Sequence, residues 1–286
     1  MRFSLATVSR ARTGTGHGGA TFVLDTQQQV SYEVQRVGIP DAGNDGTGIG
    51  IALLDTGIDF NHPDLKPAAN TTATSYNAIS PGSSCQDDGG HGTHVAGLMA
   101  AQNNAIGIVG VAPGATLYCV KVLSSAITGT DAQIMAGLDW VLQNYSRVTP
   151  RIRIVNMSLG RLLGADETLS NSALRPLFDA LYARGIVVVA AAGNNPNYEV
   201  SQMVPAGFPS VFSVASTTAA NGIRTCYLLG TDLPAVKADT ASGFTTDGAS
   251  VTISAPGEER SDIVQLGSAG CVGLEYGTLS TSLGTG

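Results

Sequence analysis

Three side chains stand out by type and by setting: Asp55, His91 and Asn194. Asp55 ends an apolar run over residues 49–54 and is followed by Thr56-Gly57-Ile58-Asp59. His91 sits in the glycine turn Gly90-His91-Gly92, immediately before an apolar pattern of helical spacing. Asn194 closes Ala190-Ala191-Ala192-Gly193-Asn194. Acyl transfer needs these residue types. An imidazole takes a proton from a nucleophile near neutral pH and returns it to the leaving group. A buried carboxylate holds the ring in one tautomer and stabilises the imidazolium. A side-chain amide donates to the charge that develops on the carbonyl oxygen. Taken singly, each signal is modest. Asp-Thr-Gly after a strand is as readily a turn, a glycine-flanked histidine is often a loop residue, and Ala-Gly-Asn is a common turn.

The surrounding pattern supplies elements that can bring the three together. Short β-rich apolar runs cover residues 49–54, 116–123, 152–157, 186–191 and 211–215. Runs of this length between turn formers fit strands of a parallel sheet covered on both faces. Helical spacing covers residues 91–102, 131–143 and 170–183, with Asp131 the expected N-cap of the second and Gly185 closing the third. Strands alternating with helices predict an α/β fold, a three-layer, mainly parallel sheet with helices on both faces. In such a sheet functional groups collect beyond the carboxyl ends of the strands. Residues 1–27 read as a flexible leader or prosegment remnant with His17 a solvated loop residue, residues 28–286 as one domain, and residues from 221 on as loop-like and glycine-rich.

Composition excludes several classes. Of 286 residues, 43% are hydrophobic and 13% charged, enough apolar material for a sizeable core and not the profile of a disordered chain. The net charge of -7, with no Lys/Arg cluster, argues against nucleic acid or an anionic membrane as partner. No apolar run is long enough to span a membrane, and residues 1–20 hold no signal-peptide apolar region. Cys85, Cys119, Cys226 and Cys271 form no CxxC pair, so zinc is not expected. Cys119 reads as a small buried hydrophobe, and Cys226 and Cys271 flank a loop-rich region where pairing is open.

The longer strings are more specific. Ile51-Ala52-Leu53-Leu54-Asp55-Thr56-Gly57-Ile58-Asp59, His62-Pro63-Asp64-Leu65, His91-Gly92-Thr93-His94-Val95-Ala96-Gly97, Gly110-Val111-Ala112-Pro113, Val120-Lys121-Val122-Leu123, Asn156-Met157-Ser158-Leu159-Gly160 and Val251-Thr252-Ile253-Ser254-Ala255-Pro256-Gly257 occur in this order. Together they resemble the subtilisin-like serine proteases, the subtilases, over roughly residues 28–260. The resemblance implies Asp55 as triad aspartate, His91 as general base and Asn194 as oxyanion donor. His94, Asp59 and His62 are expected to be structural.

The resemblance also implies a polypeptide substrate bound in extended conformation by a monomeric protease. Ser158, Leu159 and Gly160 would form one wall of the primary specificity pocket and Ala191, Ala192 and Gly193 the other. A stretch from Ser125 to Gly129 would form a backbone rail, with Ile127 standing where the family often has glycine. Arg161 replaces a common small residue and suggests an acid preference further out. A structural Ca2+ is implied at Asp64 with the loop over residues 102–108, through Asn104 and the carbonyls of Gln102, Ile106 and Ile108, with Gln28 as a further ligand. The family's nucleophile motif, Gly-Thr-Ser-x-Ala, does not occur, and Ser280 and Ser282 lack the small residues that should follow it. The expectation is therefore a serine endopeptidase domain incomplete at its C-terminus and inactive as given. The alternative is a non-catalytic module that binds extended peptides in the cleft. The family implies a secreted or extracytoplasmic protein.

Overall fold

The computed structural model describes residues 30–38, 44–65, 74–218 and 239–258, with the backbone of short strands at 13–15, 21–23, 222–226, 231–236, 266–267 and 270–271. Its centre is a seven-stranded sheet. In chain order the strands are β1 (Gly50–Asp55), β2 (Tyr76–Asn77), β3 (Thr116–Lys121), β4 (Ile152–Met157), β5 (Val187–Ala191), β6 (Val211–Thr218) and β7 (Ile253–Glu258). They lie side by side in the order β7-β6-β5-β4-β1-β3-β2, and every neighbouring pair is parallel. The helices are α1 (Tyr32–Val37), α2 (His91–Ala100), α3 (Asp131–Asn144) and α4 (Arg175–Ala183).

The central strands are apolar throughout because both faces are covered. All of β1 is buried. Its alternate side chains enter different cores: Ala52 and Leu54 pack with Ile134, Leu138, Val141, Phe178 and Leu181 of α3 and α4. Ile51 and Leu53 pack with Ala96 and Ala100 of α2. This is the expected three-layer arrangement. Toward the β7 edge the second face thins out. Val187 of β5, Phe212 of β6 and Ile253 of β7 lie 41%, 47% and 59% exposed. Their neighbours Val188, Val211 and Ala215, on the opposite face, are buried in the larger core.

Several local expectations change. The N-cap of α3 is Thr130, not Asp131: its hydroxyl accepts from Gln133 N–H, and the Gln133 side chain accepts from Thr130 N–H in a capping box. Asp131 is the first helical residue, where a carboxylate suits the helix dipole. The pattern over 170–183 becomes helical only from Arg175, with Pro176 in the first turn, where its missing N–H costs nothing. Gly185 follows that helix at φ 68, the left-handed conformation that ends it. The region beyond 221 is not all loop, since β7 pairs in parallel register with β6. Cys119 is not a free thiol: it forms a disulfide with Cys85 across 34 residues, buried in the smaller core. The side chains of Cys226 and Cys271 and the bulk of residues 1–27 lie outside the described residues, as does Gln28.

Candidate active site

The sheet register sets the site out in a row. Asp55 pairs with Lys121, Leu53 with Asn156, Met157 with Ala190, and Ala191 with Val214. Continuing the β1–β4 and β4–β5 registers places Ser158 between Asp55 and Ala191. The carboxyl ends of β1, β4 and β5 therefore deliver Asp55, the 158–160 segment and the 191–194 segment to one edge, where open parallel sheets gather function.

His91 reaches this edge from α2. Its Nδ1 lies 2.7 Å from Asp55 Oδ1. Asp55 is fully buried, while the imidazole is about one-third exposed at 33%. Thr56 N–H also donates to Asp55 Oδ1, at 2.7 Å. The hydrogen bond to Asp55 raises the His91 pKa above its ordinary value, burial opposes it, and the charges of Asp55 and Asp87 add to the rise. The result is an imidazole with one nitrogen held by a buried carboxylate and the ring partly open to solvent.

The start of α2 is built to hold that histidine. Gly90, at φ 85, precedes it and offers no side-chain cap. The first N–H groups of the helix find partners elsewhere. Gly92 N–H donates to Thr56 Oγ1 at 2.9 Å, and Thr93 N–H to Asp87 Oδ2 at 2.9 Å. Gly92 is also sterically required, because a Cβ there would lie 2.1 Å from the Gly57 carbonyl oxygen. Lys121, buried beside Asp55, donates to the Thr56 carbonyl, to Leu123 O at 3.0 Å and to Asp88 Oδ1 at 2.7 Å. Asp87, Thr56 and Lys121 have no role assigned by the sequence strings. Their signal was available only as polar residues beside the apolar runs that carry Asp55 and His91.

Asn194 is exposed on the loop leaving β5. Gly193 beside it has φ 124, and a Cβ there would lie 2.7 Å from Thr246 Oγ1. Ala191 is exposed, Gly193 half-buried, and Ala192 turned into the core. Ser158 and Leu159 are half-buried and Gly160 exposed, with the Asn156 amide donating to Ser158 Oγ at 3.1 Å. Residues 125–129 are all exposed, in a turn closed by Ser124 N–H to Thr128 O at 2.8 Å. Ile127 holds φ 58, so a branched side chain occupies a conformation that favours glycine.

Arg161 corrects an expectation. It is not free to read a distant acidic residue, because its guanidinium donates to both oxygens of Asp131, at 2.9 and 2.5 Å, and both of Glu167, at 2.6 and 3.0 Å. His94 is half-buried within α2. Asp59 accepts from Asn61 N–H and the Gln86 amide, and His62 Nδ1 from Asp64 N–H. These are the turn contacts expected of them.

Asp64 sits inside the 102–108 loop. Ile108 N–H donates to its Oδ2 at 3.0 Å and Gln102 N–H to its carbonyl at 2.9 Å, while the Asn104 amide donates to the Pro63 carbonyl at 3.5 Å. Asn104 Oδ1 is in turn fixed by Ile106 N–H at 3.0 Å. The carboxyl is 1% exposed, and its Oδ1 has no hydrogen-bond partner. Burial raises its pKa to about 6 against the opposing hydrogen bonds of Ile108, Gln102 and Asn104. Among the described residues no group of three His, Cys, Asp or Glu side chains gathers to hold a metal. A cation at Asp64 would therefore depend on amide and carbonyl oxygens.

A profile of the subtilase family matches residues 46–284, which is most of the chain. This chain is a member of the subtilase family. Subtilisin DY of Bacillus licheniformis is 35% identical over 245 residues, covering 84% of this chain and 82% of that protein. Subtilisin NAT of Bacillus subtilis subsp. natto is 36% identical over 213 residues, covering 72% of this chain and 51% of that protein. Subtilisin E of Bacillus subtilis (strain 168) is 37% identical over 201 residues, covering 68% of this chain and 48% of that protein. The chain thus spans about half the length of these last two relatives. The crystal structure of a cold adapted subtilisin-like serine proteinase aligns with a TM-score of 0.58 at 28% identity, covering 79% of this subtilase and 72% of that chain. No helix of the subtilase among the described residues is long and apolar enough to cross a membrane.

Proposed function

We propose that this subtilase carries the base, the orienting carboxylate and the oxyanion donor of a serine endopeptidase that acts on extended polypeptide. The observation that carries the proposal is the 2.7 Å contact between His91 Nδ1 and the buried Asp55 carboxylate at the carboxyl edge of the sheet. Asp55 fixes the tautomer, so Nε2 is the nitrogen left to take a proton from a serine hydroxyl. The serine attacks the scissile carbonyl, the Asn194 amide meets the oxyanion, and the imidazolium protonates the leaving amine. Water then releases the acyl group by the same route.

The 125–129 turn supplies backbone for the substrate on one side. Ser158, Leu159 and Gly160 with Ala191, Gly193 and the backbone of Ala192 line the pocket for the residue before the scissile bond. Ile127 adds an exposed apolar side chain to the rail. The family's Gly-Thr-Ser-x-Ala motif is absent from residues 1–286, and among the described residues no hydroxyl or thiol hydrogen-bonds to the His91 ring. The hydroxyl that would complete the triad is thus not assigned among the described residues, and the proposal concerns the base, the carboxylate and the oxyanion donor.

Labelling by a fluorophosphonate probe tests this. A folded chain extended through a Gly-Thr-Ser-x-Ala segment should react, and His91→Ala in that chain should lower the rate by about 10²–10⁴-fold. If the folded, extended chain takes no label, the endopeptidase reading is wrong. Peptide affinity that is unchanged by His91→Ala and never followed by turnover would favour the non-catalytic binding module.

Ca2+ is proposed at Asp64, where the buried, unpartnered Oδ1 is the group a hard cation would satisfy. Asn104 and the carbonyls of Gln102, Ile106 and Ile108 would complete the shell, together with Gln28. The ion would brace the loop after α2. An extracytoplasmic location is proposed as well, supported by the Cys85–Cys119 disulfide, which persists in oxidising compartments.

A further inference from the structure

Asp87 is a carboxylate that the reaction scheme above does not use. It is 5% exposed, and it accepts hydrogen bonds from five donors. Oδ1 accepts from Thr56 Oγ1 at 2.8 Å, Gly89 N–H at 2.9 Å and Gly90 N–H at 3.0 Å. Oδ2 accepts from Thr93 N–H at 2.9 Å and Thr93 Oγ1 at 2.5 Å. A buried charge is tolerated when it is this fully hydrogen-bonded. Its partners are the neighbours of the two reacting side chains. Thr56 follows Asp55 and donates its N–H to Asp55 Oδ1. Thr93 lies two residues past His91 in the first turn of α2, and Gly90 directly precedes it.

We propose that Asp87 is a positioning residue for the His91–Asp55 pair, clamping the end of β1 to the start of α2 through one carboxylate. One oxygen fixes the Thr56 hydroxyl, which in turn accepts from Gly92 N–H at 2.9 Å. The other oxygen replaces the missing N-cap side chain at Thr93. Rotation of α2 about its start, or a slide along β1, would break bonds on both oxygens. Asp87 also lays a second negative charge near the imidazole. Burial pushes the Asp87 carboxyl up, but the hydrogen bonds from Thr93, Gly89 and Gly90 outweigh it and keep the group below the usual range, hence charged. The other charges close by are Asp55, on β1, and Lys121, on β3, whose ammonium is engaged by the Thr56 and Leu123 carbonyls and Asp88.

This inference rests on reading His91 as the base oriented by Asp55. The test therefore uses a readout that needs no nucleophile: NMR titration of the His91 C2 proton and observation of its Nδ1 proton in residues 1–286. Asp87→Asn in a folded sample should move the His91 titration down by roughly half a pH unit or more and weaken the Nδ1 proton signal. Thr56→Val keeps the Asp87 charge but removes the hydroxyl link, and should broaden the Nδ1 proton where Thr56→Ser restores it. This pair carries the test if Asp87→Asn does not fold. A folded Asp87→Asn whose His91 titrates as in the parent, or a Thr56→Val with an unchanged Nδ1 proton, would assign Asp87 to stability alone and overturn the proposal. Failure of the endopeptidase reading would appear separately, in the probe labelling.

Discussion

Gly92 packs against Gly57 so closely that a methyl group on Gly92 would lie 2.1 Å from the Gly57 carbonyl oxygen and 3.2 Å from the Asp55 Cβ. Gly57 is itself confined at φ 124, where a Cβ would lie 2.6 Å from the Cys85 carbonyl. Three backbone segments thus meet with no side chain between them, and the spacing of Asp55 and His91 follows from that contact. Gly92→Ala must push α2 off β1. The expected cost is about 1–3 kcal/mol or more, because backbone cannot swing aside as a side chain can. Urea denaturation of the variant checks it, and an unchanged midpoint would mean that the helix start is free to shift.

Asp64 makes stability depend on pH and cation together. Its folded pKa, about 6, lies above the ordinary 3.8, so the folded state binds a proton more tightly than the unfolded state does. In chelator, stability should therefore fall as pH rises from about 4 to 6 on account of this group. Ca2+ competes with that proton and should raise Tm most above pH 6, by about 2.7 kcal/mol of stabilisation at one hundred times Kd. Asp64→Asn should remove both the chelator-dependent slope and the Ca2+ response. Melting curves that are the same in Ca2+ and in chelator at pH 7.5 (about 1.5 units above the Asp64 value) would exclude the site.

The Arg161 cluster acts in the opposite pH direction. Arg161, then Gly164 N–H, hold the Glu167 carboxyl down at about 2, below its ordinary 4.5. A depressed carboxylate contributes stability that is present above its unfolded pKa and lost as pH falls toward the folded one. Arg161→Ala should flatten the acid limb of stability between about 4.5 and 2, with only a modest loss near neutrality, since the guanidinium is 37% exposed. Thermal melts of parent and variant across that window decide it. Parallel acid limbs would show that the cluster is not what couples stability to pH there.

The Cys85–Cys119 bridge closes 34 residues between the segment that carries Asp87 and strand β3. Chain-entropy reasoning assigns such a loop about 3–4 kcal/mol. The Cys85→Ala, Cys119→Ala double variant should lose stability of that order in denaturant. Both cysteines are fully buried, so mild reductant should leave the native protein intact until it opens. Rapid thiol labelling of the native fold after mild reduction would contradict this.

Five of the seven sheet strands and helices α2 to α4 were legible because periodicity survives without tertiary knowledge, while β2, β7 and α1 were not. β1 reads as continuous apolar chain, and α2 to α4 read at helical spacing. Asp55 and His91 were legible because each adjoins such an element. Asp87 was not, since its role lies in joining Thr56, 31 residues upstream, to the 89–93 segment, a link that only the fold assembles. The disulfide escaped for the same reason: an apolar β3 hides the fact that Cys119 faces Cys85. Arg161 showed the reverse error. A cation on a loop reads as a recognition group until Asp131 and Glu167 are seen to close around it.

The uneven cover of the sheet should give its two halves different resistance to opening. Around β1 and β3, opening a strand exposes side chains to water on both faces at once. At β5, β6 and β7 one face already carries Val187, Phe212 and Ile253 in the open, so less apolar surface opposes separation there. Transient opening should begin at the β7 edge and stop short of β1. Asn194 lies on the loop leaving β5, and Asp55 and His91 lie on the more firmly packed side. Asn194 should thus follow the faster opening of the β7 side, and the Asp55–His91 pair the slower opening of the β1 side, within one continuous sheet.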